Sequence, residues 1–344
     1  MVKFLLKLNF WVIFFTLIAY ITPFVSPHTM SFLIYVGLAY PWLLVLNLIF
    51  IVLWSVSRYR YWWYSAVCVV MGWNYLTTIF GFSFFQDKKP KVDLKVMTYN
   101  LGYLPISSKK LIRLNEFIEN QNCDIICLQE FCNSDNNLKI QAERVSPLSK
   151  FPYKVHGDHS LNAIFSKYPI TNSGVLRFET QNQTNGCLYV DLQIQDKTIR
   201  CYDVHLQSNK VTGLMDELEE QGVYERQATW LKLYTLLKRI RLAAQLRAKQ
   251  AELIANHIAQ SQYPLIVCGD FNDIPVSYSY SVVSKNLKDA FKESGRGFAK
   301  TYAGNIPALK IDFIFTDKSI KSHNTEILKV YFSDHFPTIS YLSL

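Results

Sequence analysis

The sequence predicts an α/β domain that follows a set of apolar, membrane-spanning helices. Hydrophobic residues make up 50% of the chain and the mean hydropathy is +0.06, which is high for a purely soluble protein. The excess lies in residues 8–86, where Arg58 and Arg60 are the only charged residues. After this region, strand-like runs alternate with helical ones, as in an α/β domain. We therefore predict a membrane anchor over residues 1–90 and an α/β domain over residues 91–344.

The anchor is predicted to contain about three transmembrane helices, because a bilayer core needs roughly 20 apolar residues in helical form. We place them at residues 8–25, 31–54 and 61–85, and expect Pro41 to kink the second. A cleaved signal peptide is the alternative for the first span, because the chain begins with two lysines and a short apolar run. The two later runs attach the chain to the membrane in either case.

The side of the membrane rests on a small charge bias. Four bases flank one side, Lys3, Lys7, Arg58 and Arg60, and three flank the other, Lys88, Lys89 and Lys91. The bias favours a cytoplasmic amino terminus and an extracytoplasmic catalytic domain. The seven cysteines show no metal-type pairing and several lie in apolar strand-like runs, which argues mildly for the cytoplasm. We give the loop charges more weight.

The formal net charge of +9 is unevenly distributed. Residues 1–91 carry seven bases and one acid, which leaves a net charge of only +3 for residues 92–344. Within that domain, residues 226–249 hold seven bases and no acid. The domain as a whole therefore lacks the strong positive field expected of a generic nucleic-acid-binding protein.

Hydrophobic periodicity predicts the elements of the domain in order. We expect a strand at residues 94–99, a helix at 107–120 and a second strand at 124–128. Further strands are predicted at residues 163–165, 188–194, 198–204, 265–268 and 311–315.

Residues 209–261 interrupt this alternation with a long segment that contains no proline and becomes helical in its later part. Apolar residues recur there at spacings of three and four, at Trp230, Leu233, Leu237, Ile240 and Ala244. One interpretation is a helix packed on the domain with a solvated basic edge. The other is an amphipathic helix near the cleft or bilayer, in which Trp230 and Leu233 are buried and the bases meet phosphate groups.

Residues able to bind metal ions or transfer protons follow the apolar runs, at the ends where the loops of α/β folds build active sites. Singly, each is more typical of a turn, a cap or a packed histidine. In chain order they are Asn100, Gln129-Glu130, His205, Gly269-Asp270-Phe271-Asn272, Asp312 and Ser333-Asp334-His335.

This ordered set resembles the endonuclease/exonuclease/phosphatase family, over about residues 92–344. Ser166-Lys167-Tyr168-Pro169-Ile170 is also similar to a segment of that family. The resemblance implies a two-sheet, four-layer α/β sandwich of the deoxyribonuclease-I-like type. Two features depart from the family pattern: Asn162, where many members have glycine, and the inserted stretch 209–242.

The resemblance also implies a hydrolase that uses Mg²⁺, or Mn²⁺, to cleave a phosphate ester by direct attack of water. Glu130, Asn100 and Asp334 are the implied metal-binding residues. Asp270 would orient or deprotonate the water, and Asn272 and His205 would contact the phosphate. His335, paired with Asp312, would serve as acid, base or phosphate clamp. Whether Asp270 or His335 takes the proton of the water is left open.

The physiological substrate is also left open between nucleic acid and the headgroup of a phospholipid or inositol phosphate. The lipid bilayer is the second partner that we predict, and the sequence indicates no obligate protein partner. A catalytically inactive, membrane-bound binding module is the alternative function. The completeness of the polar set argues against it, because loss of catalysis would be expected to leave at least one position replaced.

Overall fold

A computed structural model describes residues 1–83, 91–102, 108–131, 145–157, 161–178, 185–209, 226–304 and 309–344. The chain divides into two compact units that interleave along the sequence. The first comprises Met1–Trp73, Gln207–Glu252 and Val276–Val282, and the second comprises Asn74–Leu206, Leu253–Pro275 and Val283–Leu344. The boundary between residues 90 and 91 stays a prediction.

Residues 1–79 form apolar helices of unequal length. They are α1 (Val2–Ile21), a 3₁₀ turn (Thr22–Phe24), α2 (Leu33–Leu38), α3 (Tyr40–Val56), α4 (Trp62–Met71) and α5 (Trp73–Ile79). Among the described residues, one helical stretch is long and apolar enough to cross a membrane, Val2–Phe24, with 23 residues and a mean hydropathy of 2.0. The predicted spans at 31–54 and 61–85 are therefore corrected to shorter apolar helices.

Local sequence explains where these helices stop. Pro41 lies in the first turn of α3, so it begins this helix instead of kinking a longer one. Gly72 follows α4, and a Cβ atom there would lie 2.0 Å from the hydroxyl oxygen of Tyr20 on α1. Close packing against Tyr20 therefore requires glycine where the predicted third span is interrupted.

The helices of the first unit bury several polar side chains among apolar ones and leave many large apolar side chains exposed. The indole of buried Trp54 donates to the amide oxygen of Asn9, and the amide nitrogen of Asn9 donates to Ser65. Asn47 on α3 likewise donates to Thr16 on α1 at 2.9 Å. The exposed positions of α1 include large apolar side chains, among them Phe4, Leu8, Phe10, Trp11, Phe14 and Phe15.

Within the described residues, the second unit holds two six-stranded sheets. The first sheet has the order β10 (Lys288–Asp289), β12 (Asp312–Thr316), β9 (Leu265–Asp270), β8 (Lys197–His205), β7 (Gly186–Ile194) and β6 (Ile170–Leu176). The second has the order β13 (Lys321–Ile327), β14 (Thr338–Ser343), β2 (Leu94–Asn100), β3 (Ile125–Gln129), β5 (Ala163–Ser166) and β4 (Tyr153–His156). A separate ribbon pairs β1 (Phe80–Phe82) with β11 (Arg296–Phe298).

The remaining helices connect and cover these strands. They are α6 (Ser108–Gln121), α7 (Ser146–Ser149), α8 (Arg226–Ala259), α9 (Tyr278–Ser284) and α10 (Ala290–Ser294). Leu114 and Ile118 of α6 pack on the outer face of the second sheet. His257, near the end of α8, contacts Tyr202 of the first sheet, its Nδ1 lying 2.8 Å from the tyrosine hydroxyl.

The core between the two sheets is made of buried side chains from both. Val96 and Ile125 of the second sheet belong to one apolar cluster with Leu188, Ile266 and other residues of the first. Three cysteines meet in this cluster, Cys127, Cys201 and Cys268, and burial raises the pKa of the Cys127 thiol well above its ordinary value. These are buried thiols, as predicted. Two packed sheets with helices outside confirm the predicted α/β sandwich.

Each sheet contains a parallel strand pair. β2 pairs with β3 in the second sheet, with Asn100 opposite Gln129, and β8 pairs with β9 in the first, with His205 opposite Asp270. The antiparallel strand β12 starts beside β9, so that Asp312 lies opposite Asp270. The carboxyl ends of four strands therefore carry polar side chains that the sequence singled out.

The long helix differs from the prediction in one respect. Its existence is confirmed, but Trp230 is 70% exposed and Leu233 is 37% exposed, so neither side chain is buried within the described residues, and their burial in a bilayer stays a prediction. Among the described residues, the burial of α8 begins at Ala243 and Ala244. The part of the predicted insertion at residues 210–225 lies outside the described residues.

Candidate active site

The four parallel strand ends bring predicted site residues from both sheets together. Nδ2 of Asn100 donates to Oδ2 of Asp270 at 2.9 Å and lies 3.4 Å from Oε1 of Glu130. Nε2 of His205 lies 3.5 Å from the same Glu130 oxygen and 3.8 Å from Asp270. Residues separated by up to 170 positions in sequence thus form one polar cluster.

Asp270 is the centre of this cluster. Its Oδ1 accepts from the backbone N–H of Asn272 at 2.8 Å, and its Oδ2 accepts from the Asn272 side chain at 3.1 Å. The Nδ2 group of Asn272 also donates to the carbonyl oxygen of Leu206, so both of its N–H bonds are used. Asn272 therefore fixes Asp270, and a contact with phosphate would require it to give up one of these bonds.

The backbone around the cluster takes conformations that most residues avoid. Glu130 has φ of 54° and Asn272 has φ of 50°, both in the left-handed region. Gly269 has φ of +138°, and a Cβ atom there would lie 2.0 Å from the carbonyl oxygen of Val204. Such strain concentrates at functional sites, where surrounding structure compensates for it.

His335 and Asp312 form a buried pair beside the cluster. Nδ1 of His335 lies 3.0 Å from Oδ2 and 3.2 Å from Oδ1 of Asp312, so it donates to this carboxylate. Nε2 of His335 is directed towards Asp270, 3.7 Å from its Oδ2. The backbone N–H groups of Ile311 and Asp312 both donate to Thr301, which holds the start of β12 in place.

Charge and burial shift two pKa values here. Burial alone would lower the pKa of His335, but the negative charges of Asp312 and Asp270 outweigh it and raise the pKa to about 10. Burial raises the pKa of Asp270, and His335 opposes this rise. Without a bound cation, His335 is therefore protonated at neutral pH.

Asp334 lies at the exposed edge of the site. Its carboxylate accepts from Ser333 at 3.2 Å, and its Oδ1 would lie 3.1 Å from a Cβ atom at Gly102. The backbone N–H of Gly102 donates to Oδ1 of Asn100 at 2.9 Å. Asp334 is therefore on the Asn100 side of the cluster.

The donor set suits a divalent metal ion. Glu130, Asn100 and Asp334 offer oxygen ligands only, which hard ions such as Mg²⁺ and Mn²⁺ prefer, and the Glu130 side chain is 24% exposed. Asp270, Asp312 and His335 form a second group whose ligand atoms all lie within 4.8 Å of one another. An imidazole in that group suits transition metals better, and its Nδ1 is already paired with Asp312.

Sequence reasoning missed the buried residues that support the site. Nε2 of Gln129 donates to Oδ1 of Asp203, joining the two sheets directly below Glu130 and His205. Oε1 of Gln129 and Oδ2 of Asp203 are buried without a hydrogen-bond partner in the described part of the chain. Burial raises the pKa of Asp203 well above its ordinary value. Polar residues inside otherwise apolar strands were the available signal.

Two further supports lie next to Asp312. Lys310 is buried and its Nζ lies 2.9 Å from Oδ2 of Asp289, which also caps α10. Tyr302 forms a β-bridge with His335, and the two rings meet edge to face. Asn162, where the sequence departs from the family pattern, donates from its side chain to the backbone oxygen of Asp203.

Residues 97–335 match the model of the endonuclease/exonuclease/phosphatase family. The chain belongs to this family. Its members are hydrolases that act on phosphate esters and generally require a divalent metal ion. Residues 2–79 match a second family model, described only as a domain of unknown function. No curated protein matches the chain significantly.

Solved structures share the fold at low sequence identity. An endonuclease/exonuclease/phosphatase from Bacteroides vulgatus is 19% identical, with a TM-score of 0.53 over 74% of this chain and 100% of its own. A mannosyl-6-phosphatase from Bacteroides thetaiotaomicron is 16% identical, with a TM-score of 0.53 over 73% of this chain and 100% of its own. A humanized TDP2 of D. rerio is 14% identical, with a TM-score of 0.51 over 73% of this chain and 99% of its own. These similarities confirm the predicted two-sheet fold.

Proposed function

We propose that the chain is a membrane-anchored phosphoesterase that uses Mg²⁺ or Mn²⁺ to hydrolyse a phosphodiester or phosphomonoester by direct attack of water. The convergence of Asn100, Glu130 and His205 on Asp270, from the ends of four strands in two sheets, is the observation that carries this proposal. The proposal requires no covalent nucleophile, because Asp270 would accept the proton of the water and His335 would donate a proton to the leaving oxygen.

Glu130, Asn100 and Asp334 would hold the cation, which when bound would neutralise charge on the phosphate and activate water. Asp270, fixed by its hydrogen bonds to Asn272 and Asn100, would orient the water and accept its proton.

Nδ1 of His335 is engaged by Asp312, which leaves Nε2–H available to donate to the phosphate or to the leaving oxygen. His205, whose Nε2 also faces the cluster, is a second contact for the phosphate.

The membrane part of the proposal is supported by the buried polar contacts and the exposed apolar side chains of residues 1–73. Asn9, Asn47 and Ser65 are buried and hydrogen-bonded between helices, whereas large apolar side chains cover the outer positions of α1. Small and polar residues between helices with apolar residues outside are typical of helices in lipid. Membrane attachment would favour a lipid-linked phosphate as the substrate. One of the similar solved structures, however, is named a mannosyl-6-phosphatase.

The test is a hydrolysis panel with the purified full-length protein in lipid vesicles. Plasmid DNA, single-stranded RNA, sphingomyelin and phosphoinositides are offered with Mg²⁺, with Mn²⁺ and with excess chelator. We expect at least one substrate to be cleaved, and chelation to abolish cleavage. Asp270→Asn should cost at least about 10²-fold in kcat, the usual scale for a lost proton-transfer group. Glu130→Gln should raise the metal concentration that gives half-maximal activity.

Asp196→Asn is the matched control, because Asp196 is an exposed aspartate in the turn between β7 and β8. It should leave activity unchanged. Full activity in excess chelator would overturn the metal mechanism. Failure to cleave any substrate, with metal bound and the fold intact, would favour the inactive binding module.

A further inference from the structure

The first half of α8 exposes aromatic, aliphatic and basic side chains together. We call residues 230–242 the basic segment. Its exposed apolar residues are Trp230 (70%), Leu231 (67%), Tyr234 (65%) and Leu242 (46%), with Leu233 and Leu237 at the edge of exposure. Its exposed bases are Lys238, Arg239 and Arg241. Exposed apolar side chains on successive turns of one helix mark an interaction surface.

The second half of α8 is different, because one of its faces is buried. Ala244, Ala248 and Ala251 are buried. Arg247 is also buried and donates from Nη1 to the backbone oxygen of Gln207 at 3.0 Å. The change from buried alanines to exposed aromatics along one helix indicates that the basic segment is built for a surface other than the one its second half contacts.

Hydrogen bonds within the first unit fix where the basic segment lies. The hydroxyl of Tyr35 donates to the backbone oxygen of Leu237 at 2.9 Å, and Nε2 of His28 lies 3.0 Å from the backbone oxygen of Gln245. The Gln245 side chain donates to the backbone oxygen of Pro27. Pro27 and His28 follow directly on the apolar stretch Val2–Phe24. The segment is therefore tied to the point where that stretch would leave the hydrocarbon of a bilayer.

Charge decides between the surfaces that could meet this segment. Residues 226–251 hold seven bases and no acid, so a second copy of the same segment would be repelled. An anionic lipid surface attracts such a helix, and Trp and Tyr prefer the interface between headgroups and hydrocarbon. The aromatic side chains and the bases of the segment therefore both favour an anionic lipid surface.

The geometry points to a second membrane contact: the basic segment lies in the interface of the leaflet where α1 ends, with Trp230 and Tyr234 among the lipid chains and Lys238 and Arg241 on anionic headgroups. This inference rests on the membrane anchoring in the proposed function and adds to it a preference for anionic lipid. It is independent of catalysis.

The test replaces Trp230 with the photo-crosslinking residue p-benzoylphenylalanine in the full-length protein. The protein is reconstituted in phosphatidylcholine vesicles with and without phosphatidylglycerol, irradiated, and analysed for lipid adducts by mass spectrometry. Lys238→Gln with Arg241→Gln is the test variant. Lys109→Gln with Lys110→Gln is the matched control, because both lysines are exposed on α6 and the loss of charge is the same.

We expect lipid adducts at position 230 that increase when phosphatidylglycerol is present. Each base near an anionic surface contributes about 1 kcal/mol, so the test variant should weaken the surface association roughly 30-fold and lower adduct yield to the level in neutral vesicles. The control pair should keep the wild-type yield.

Adducts mainly within the chain or to a second copy would overturn the inference. The inference would also be overturned if the yield of lipid adducts changed neither with phosphatidylglycerol nor with the loss of the two bases. Vesicle flotation of the unlabelled protein reports anchoring separately, and the hydrolysis panel reports activity. A failure of this inference is therefore distinguishable from a failure of the proposed function.

Discussion

His335 lies between two carboxylates that serve different purposes. Asp312 accepts from Nδ1 at 3.0 Å and fixes the orientation of the ring, while Asp270 faces Nε2 at 3.7 Å and belongs to the reacting cluster. Because Asp312 acts through the imidazole, it is a positioning residue in the proposed mechanism. A histidine oriented in this way presents one defined N–H to the substrate.

The pair should behave as one functional unit. His335→Ala should lower kcat at least about 10²-fold, and Asp312→Asn should lower it through the loss of orientation and charge. The double variant should be no slower than His335→Ala, because the action of Asp312 requires the imidazole. Steady-state kinetics on the best substrate of the panel measures this. Multiplicative losses would show that Asp312 acts separately, and His323→Ala, on β13 outside the site, is the control.

The buried carboxyl group of Asp203 leads to a prediction about stability and pH. A protonated Asp203 could donate from Oδ2 to Oε1 of Gln129, which would satisfy both buried oxygens and complete the pair begun by the Gln129 amide. Burial raises the pKa of Asp203 above its unfolded value. The unfolded chain therefore loses the Asp203 proton at a lower pH than the folded chain does. As the pH rises from the unfolded pKa of this group to its folded pKa, the free energy of unfolding decreases.

Asp203→Asn should remove this loss while keeping the amide pairing. The variant should match the wild type within about 1 kcal/mol near the unfolded pKa of aspartate, and gain about 1.4 kcal/mol on it per pH unit above that value. Urea unfolding over a series of pH values gives the difference. Asp191→Asn is the control of opposite sign, because hydrogen bonds from Arg200 outweigh burial and lower the pKa of Asp191. A flat difference for Asp203→Asn would show that its carboxyl group ionises normally.

The site residues were visible in the sequence because each follows an apolar run that had to be a buried strand. Asn100, Glu130 and Asp270 were all found in this way. Gln129 and Asp203 were not recognised as a pair, because their contact joins two sheets and 74 positions separate them. Periodicity predicts which face of a strand is buried, but not which strand of the opposite sheet will lie against it.

At the scale of elements, most strands of the sheet centres were predicted, whereas the inner strand β14 and several edge strands were not. β2, β3, β8 and β9 are buried along most of their length and lie within one or two residues of their predicted bounds. By contrast, β6 and β13 are edge strands with many half-buried or exposed positions, among them Asn172 and His323. An edge strand buries fewer side chains, so its hydrophobic pattern is weak.

Gly269 links β8 and β9 to the geometry of the site. Alanine there would place its Cβ 2.0 Å from the backbone oxygen of Val204, one residue before His205. Gly269→Ala should force the strands apart, lower the melting temperature and reduce kcat by moving Asp270. Gly297→Ala is the matched control, since φ is +69° there but nothing lies within 4 Å of the added Cβ.

Gly297→Ala should lower the free energy of unfolding by only about 1–2 kcal/mol, the cost of a left-handed backbone at alanine, and should leave kcat unchanged. Thermal unfolding and kinetics of both variants test this prediction. Equal effects of the two substitutions on stability, with unchanged kcat in both, would show that the close approach at Gly269 does not position the site.

For the whole molecule, composition indicated an apolar amino-terminal region but overestimated the length of its helices. A count of uncharged residues does not show that α3 begins with Pro41 in its first turn or that α4 ends just before Gly72. It also could not show that Trp230 is exposed, because helical periodicity alone assigns an apolar stripe to the core. Tertiary contacts decide both outcomes.

The side of the membrane on which the catalytic domain lies stays a prediction, and the loop charges favour the extracytoplasmic side if the chain crosses three times. An odd number of spans puts the amino terminus and the catalytic domain on opposite sides. If the chain crosses three times, Arg58 and Arg60 lie on the side of the amino terminus; if it crosses once with α1, they lie beyond the span, and Lys3 and Lys7 face five bases. The bases of α8 do not enter the count, because long translocated domains have little influence on orientation. With three spans, the comparison is between Lys3, Lys7, Arg58 and Arg60 on one side and Lys88, Lys89 and Lys91 on the other.

An epitope placed after Leu344 should therefore be digested by protease added outside intact cells, whereas an epitope before Met1 should be protected. Arg58→Gln with Arg60→Gln leaves two bases against three, which should reverse the bias and protect the carboxyl-terminal epitope in part of the population. Lys109→Gln with Lys110→Gln removes the same charge outside the anchor and should leave the digestion pattern of the wild type. Protection of the carboxyl-terminal epitope in the unmodified protein would place the catalytic domain in the cytoplasm, where its buried, unpaired thiols would also be expected.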